Sequence, residues 1–219
     1  MYKIAELLDL SHTIAAPLFE GRDYPWEVLG DISDFILKLG PQLPPEEYDH
    51  PADDVWIALD ASVYSTAWIA GPCIIDHGAE IRHCAFIRGS AIVGKNCVVG
   101  NSTELKNVVL FDNVQVPHYN YVGDSVLGYK AHTGAGAITS NVKSDHSAVI
   151  VRCGDERAET GRKKFGAVLG DYAEVGCNSV LNPGTILGRH TTVYPTSSVR
   201  GTVPENCIYK GKNEIVPKK

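Results

Sequence analysis

The sequence predicts an all-β fold, a parallel β-helix of hexapeptide repeats, with a small N-terminal helical extension. Three observations carry this. Stepping by six from Ile57 gives Val63, Ile69, Ile75, Ile81, Ile87, Val93, Val99, Leu105 and Phe111, all apolar and mostly β-branched. Two residues before the large positions stands a small one, as at Ala67, Cys73, Ala79, Ala85, Ala91, Cys97 and Thr103. The double pattern then returns with Leu169, Val175, Leu181, Leu187, Val193 and Val199, partnered by Ala167, Ala173, Ser179, Thr185, Thr191 and Ser197.

A period of six suits neither a helix nor an ordinary half-buried strand. It fits a triangular coil in which three short strands each turn one large and one small residue inward. Gly94, Gly100, Gly128, Gly170, Gly176 and Gly188 each follow a large position, where the chain must come close to a neighbouring turn. Leu127 with Ser125 and Thr133 with Ala131 keep the spacing between the two long runs. Two breaks interrupt the pattern. One, between Phe111 and Tyr121, is four residues longer than the six-step allows. The other, a charged loop over 142–166, lacks the pattern until Ala167, and loops leaving a rigid solenoid commonly carry function. The solenoid is assigned to 51–219.

The extension occupies 1–50. Trp26, Leu29, Ile32, Ile36 and Leu39 fall at helical spacing, with Asp23 near the start and Gly40 just past the end. PQLPPEEY then reads as a turn. A bare coil end invites edge pairing, so this region is expected to cap the open N-terminal end of the solenoid.

Composition narrows the function. Hydrophobic residues at 44% and charged residues at 21% argue against disorder. A net charge of -6 disfavours nucleic acid and anionic membranes as partners. The opening MYKIAELLDL has charges where a signal peptide needs an unbroken apolar core, and no run is long enough to span a bilayer. The six cysteines, at 73, 84, 97, 153, 177 and 207, show no CxxC and no evident pairing. They read as reduced thiols of a cytoplasmic protein.

Four groups of residues could carry chemistry. Arg88 and Lys106, three repeats apart and each following an inward apolar residue, should stack outward on adjacent coils ~4.8 Å apart. Two cations that close favour an anion such as phosphate between them, although Glu104 could neutralise one. His118 and Tyr121 lie at the first break, and histidine is a natural general base near neutral pH. The small residues of HTGAGAITSN, from His132 to Asn141, would let a ligand approach backbone N–H groups. Arg162, Lys163 and Lys164 end the long loop and could meet phosphates.

Taken together, GNSTELKN, VPHYNYVGDSVLG and GAGAITSN resemble the acetyltransferase domain of the bifunctional N-acetylglucosamine-1-phosphate uridyltransferase/glucosamine-1-phosphate N-acetyltransferase family. They also resemble the similar domain of archaeal sugar-1-phosphate nucleotidylyltransferases. The resemblance covers about residues 80–200 and is specific over 100–141. It implies a left-handed sense for the β-helix, a homotrimer with sites between subunits, acetyl-CoA as donor and an amino-sugar phosphate as acceptor. By motif, His118 matches the catalytic base and Ala135 the backbone N–H facing the thioester oxygen. Arg88 and Lys106 match the residues that hold the sugar phosphate. Tyr121, His132, Asn141 and Lys164 match substrate contacts, and Cys177 and Pro195 line the coenzyme groove.

Departures are also visible. His132 replaces the family's asparagine, the 142–166 loop is longer than in the bacterial enzymes, and no LxxGxGTRM-like uridyltransferase motif is present, so nucleotidyltransferase activity is not expected. No metal is expected. Two alternatives stay open. A γ-carbonic-anhydrase-like zinc site could use His83, His118 and His132, but that family spaces two ligands five residues apart and position 123 is Gly. A non-catalytic sugar-nucleotide scaffold is the other.

Overall fold

The computed structural model describes residues 1–212 and 214–218. Short parallel strands stack coil upon coil into three faces of a β-helix. The first face runs through Val55–Ala58, Cys73–Ile75, Ala91–Val93, Ala167–Leu169 and Thr185–Leu187. The second runs through Glu80–Ile81, Val98–Asn101, Gln115–His118, His132–Thr133, Glu174–Val175 and Thr192–Val193. The third runs through Trp68–Ile69, Phe86–Ile87, Ile138–Thr139, Val180–Leu181 and Ser198–Val199. Two longer strands, Glu104–Leu110 and Tyr121–Leu127, bend from the third face into the first. The inward residues read from the repeat, from Ile75 to Val199, are buried.

The stacking geometry accounts for the glycines and for the corners. A Cβ on Gly100 would lie 1.6 Å from the carbonyl oxygen of Pro117 on the next coil. Every corner carries a file of left-handed residues, most of them not glycine. Cys84, Ser102, Tyr119, Asn178 and Thr196 form one file, and Asn96, Asn113, Lys130, Tyr172 and His190 another, with φ between 51° and 61°. Such φ values are rare outside Gly, Asn and Asp, so the coil imposes them against local preference.

Where the sequence suggests an in-phase Phe111 followed by a four-residue insertion, the register shows something different. Ile87 pairs with Leu105 at the full repeat, but Leu105 pairs with Val122 and Val93 with Leu110, each one residue short. Two corners have each lost a residue, at Asn107 and Asp124, and there is no insertion. Leu110 therefore takes the repeat position, and Phe111 is buried at the following corner. The second break is real, since Leu127 pairs with Leu169 across the excursion. Its middle forms a hairpin, Ile150–Cys153 against Glu156–Glu159. Val149, Val151 and Phe165 are buried, so the excursion folds back on the molecule instead of hanging free.

The extension also differs from the expectation. Its helical part is a 3-10 turn, Pro25–Gly30, followed by an α-helix, Ile32–Leu39, which ends at Gly40. It lies along the side of the solenoid, and at the N-terminal end only the edge of the first face is paired, by Tyr48–Ala52 running antiparallel to Val55–Ala58, while Val63 stays 40% exposed. The reason is written on the first face. Its outward file, Trp56, Ile74, Ile92, Val109, Val126, Val168 and Ile186, is apolar, and every member is buried. Leu7, Leu18, Phe19, Trp26, Val28, Ile32 and Ile36 belong to the same core. Covering such a file is worth ~1.5–3 kcal/mol per large side chain. Polar ties fix the strap at intervals. Tyr2 Oη accepts from Glu205 N, Leu7 O from Asp171 N, and His12 O from Asp112 N. Asp171 in turn accepts from the backbone N–H groups of Asp9 and Tyr129 and pairs with Arg189 at 3.3 Å. Burial nevertheless holds its carboxyl above the usual range, outweighing those donors.

Gly100→Ala is expected to cost about 3 kcal/mol or more, because its Cβ would meet rigid backbone. Urea unfolding of the two proteins measures it, and an unchanged midpoint contradicts the stacking geometry.

Candidate active site

The second and third faces meet at a corner where four of the sequence-predicted residues come into one file. Gly136 N donates to His118 O at 3.0 Å, Asn178 N to Ala135 O at 2.8 Å, and Thr196 N to Cys177 O at 2.8 Å. His118, Ala135, Cys177 and Pro195 are thereby stacked on successive coils. His118, Cys177 and Pro195 are exposed and Ala135 is half-buried. The Ala135 N–H finds no acceptor among the described residues, and neither does the His118 ring. The corner offers a line of accessible backbone beside one imidazole.

Asn120 holds that corner together, a role the sequence reading does not assign. It is buried, accepts from His118 N at 3.1 Å and donates to Gly134 O at 2.8 Å and Ala137 O at 3.2 Å. One side chain thus ties the turn bearing His118 to the turn bearing Ala135. Its position two residues past His118 is the available signal.

A second group lies on the third face, where the short corners bring polar residues into contact. Asp124 is buried and accepts from Lys106 Nζ at 3.1 Å, from Asn107 Nδ2 at 3.0 Å and from Asn141 Nδ2. Asn141 Nδ2 also donates to Tyr121 Oη at 3.2 Å. Asn107 donates to Leu29 O at 3.0 Å, which anchors the extension beside the site. The Tyr121 ring folds back over Gly123, where a Cβ would come within 2.5 Å of its hydroxyl oxygen. Burial raises the Tyr121 pKa, and the Asp124 charge adds to the effect, so the phenol is a neutral donor. Asp124 escapes the sequence reading because two shortened corners look there like an insertion.

Arg88 and Lys106 do stack on adjacent coils, but an anion between them is not needed to balance their charge. Arg88 Nη1 donates to Glu104 Oε1 at 2.8 Å, and that hydrogen bond raises the arginine's pKa. Lys106 has Asp124. Each cation comes with its own carboxylate.

His132 and Lys164 stand apart from this group within the chain. His132 lies on the second face, between Gln115 and Glu174, three residues before Ala135 and so ~10 Å along the chain from it. Lys164 is exposed at the base of the excursion, opposite Val142, with Phe165 N donating to Asn141 O at 2.9 Å. His83, His118 and His132 sit on separate coils. His83 Nδ1 lies 3.2 Å from Thr66 Oγ1, and among the described residues no group of three or more His, Cys, Asp or Glu side chains could hold a metal. All six cysteines are free, with Cys73 and Cys97 buried and their thiols pushed up by burial. Among the described residues no helix is long and apolar enough to cross a membrane.

Asp124→Asn, which keeps the left-handed backbone, is expected to cost about 2 kcal/mol by leaving Lys106 unpaired at a half-buried position. Denaturant unfolding reads this, and adding Lys106→Met should recover part of the loss. Failure of the pair to recover any stability contradicts the assignment.

The chain is similar to several known proteins. The chain is similar to the bifunctional protein GlmU of Methanococcus maripaludis, with 31% identity over 215 residues, 90% of this chain and 48% of the relative. It is similar to the bifunctional sugar-1-phosphate nucleotidylyltransferase/acetyltransferase of Sulfurisphaera tokodaii, with 34% identity over 109 residues, 50% of this chain and 27% of the relative. The chain thus spans half the length or less of these curated relatives. Among solved structures it resembles the acetyltransferase domain of PglB from Neisseria gonorrhoeae in complex with acetyl coenzyme A, with TM-score 0.35 and 16% identity over 75% of this chain and 57% of that one. Another is a point mutant of AntD, an N-acyltransferase from Bacillus cereus, in complex with dTDP and coenzyme A, with TM-score 0.36 and 15% identity over 75% of this chain and 81% of that one. Residues 69–207, most of the solenoid and the whole of both residue groups, match the family described as the GMPPB C-terminal domain, and the chain belongs to that family.

Proposed function

We propose that this chain is an acetyl-CoA-dependent N-acetyltransferase that acts on an amino-sugar phosphate such as glucosamine 1-phosphate. One observation carries the reading. An unpaired imidazole, His118, and an unpaired backbone donor, Ala135 N–H, are held on adjacent coils by Asn120. Acyl transfer to an amine needs those two functions side by side. The amine nitrogen attacks the thioester carbonyl carbon, and His118 takes the proton that the nitrogen sheds. The Ala135 N–H donates to the oxyanion. The C–S bond then breaks, leaving an amide and a coenzyme thiolate.

In this reading the donor lies along the file continuing from Ala135 to Cys177 and Pro195, both of which are exposed. On the third face Arg88, Lys106, Tyr121 and Asn141 offer cations and hydrogen-bond donors to a sugar phosphate. In this reading His132 and Lys164 join the acceptor site from a neighbouring subunit. A homotrimer also accounts for the large apolar residues exposed on the outward file of the third face, Trp68 at 66%, Phe86 at 41% and Ile138 at 39%, which flank Glu104 and Tyr121.

Acetyl-CoA consumption by the purified protein against a panel of amino-sugar phosphates tests the reading. His118→Ala is expected to lower kcat ~10²–10⁴-fold with little change in the KM for acetyl-CoA. Turnover that survives the substitution excludes His118 as the base. A protein that does not bind acetyl-CoA at all refutes the transferase reading.

A further inference from the structure

The excursion hairpin meets the last coils around a cavity of about 240 Å³ lined by Lys143, Ile150, Arg152, Pro183, Arg200 and Gly201. Three of its six lining residues are cations. Lys143 has Asp145 at 3.4 Å and a hydrogen bond to Ser147. Arg152 and Arg200, like Arg157 and Arg162, take part in no ion pair among the described residues, whereas Arg22, Arg82, Arg88 and Arg189 do. This happens in a chain with net charge -6, where a carboxylate partner is easily supplied.

The hairpin register makes the concentration of charge sharper. Arg152 lies directly opposite Arg157, so two guanidinium side chains leave the same side of a two-stranded ribbon. Like charges directly opposed across strands destabilise the ribbon unless something offsets them. The backbone beneath is firmly set. Thr202 Oγ1 donates to Arg152 O at 2.8 Å, and Gly184 approaches Val149 closely. Three cations line this half-enclosed space and no acid does, which favours an anion there. Planar guanidinium groups match the oxygens of phosphate in particular.

We propose that this cavity is a phosphate-binding site, in which Arg152 and Arg200 grip a phosphate or diphosphate and Lys143 supplies a third charge. Pro183 and Gly201 follow Asn141 on the next two coils of the same corner, so the cavity lies ~5–10 Å along the solenoid from Asn141. A ligand with phosphates several bonds away from the group held at Tyr121 and Asn141 would reach both. The phosphate could come from a nucleotide-linked ligand, from the coenzyme or from a free anion. The site stands on its own geometry and does not depend on the transfer reaction.

The test is calorimetric titration of the full chain with pyrophosphate, coenzyme A, coenzyme A lacking its 3′-phosphate, and uridine diphosphate. Wild type is compared with Arg152→Gln/Arg200→Gln and with a distant control, Lys130→Gln. Saturable pyrophosphate binding that weakens by at least about tenfold in the double variant, but not in the control, is expected. A parallel loss for uridine diphosphate or for coenzyme A names the source, and a loss confined to pyrophosphate assigns the site to a free anion. Arg200→Lys, which keeps the charge, should weaken binding less, and circular dichroism checks that each variant is folded. Equal pyrophosphate affinity in wild type and a folded double variant overturns the proposal, as does binding that never saturates.

Discussion

Everything in this molecule depends on how closely one coil must approach the next. Backbone ladders fix neighbouring coils ~4.8 Å apart, and inside so narrow a triangle only one large and one small side chain fit per face. That limit selects the β-branched and small residues, excludes a Cβ at positions such as Gly100, and forces Tyr119 and Thr196 into left-handed backbone. Fixed spacing also turns residues far apart in sequence into neighbours along a file. His118, Ala135, Cys177 and Pro195 share a corner for no other reason.

Function enters where the spacing is broken. Two corners one residue short, at Asn107 and Asp124, pull polar side chains into the corner and allow Asp124 to collect Lys106, Asn107 and Asn141. A perfectly regular solenoid would present outward files of repeated chemistry and no such cluster. The excursion then adds Lys143 and Arg152 beside Arg200 of the last coils, and the extension closes the first face while its Leu29 carbonyl steadies the cluster from behind.

Most of the fold could be read in the sequence because inward positions are chosen by volume alone, and volume shows in the letters. The long and short partners from Ile57 to Val99 and from Leu169 to Val199 are placed as their period implies. The phase error at Phe111 has a physical cause. Leu110 and Phe111 are both large and both buried, so the period cannot choose between them, and only the backbone ladder does. The outward first-face file of Ile74, Ile92, Val109, Val126, Val168 and Ile186 escapes the sequence reading, which follows only the inward positions, although its counterparts on the second face include Glu80, Gln115 and Glu174. A face apolar on both sides must be covered, and the extension is the segment that covers it. The Asp124 cluster was not legible, because hydrogen bonds between side chains leave no period.

The strap has a consequence for how the chain reaches its native state. A bare solenoid is a chain of nearest neighbours in which each coil needs only the one before it, so it can grow or fray one coil at a time. Here Tyr2 meets Glu205, Leu7 meets Asp171 and His12 meets Asp112, so the earliest residues wait for the latest. Such pairings carry the highest loop-closure entropy and belong to the last steps of folding. Once made, they bind the far ends together, and opening a terminal coil means peeling away the strap that also seals the middle. A structure assembled like a zipper is thereby locked like a clasp, and its unfolding becomes a single cooperative event.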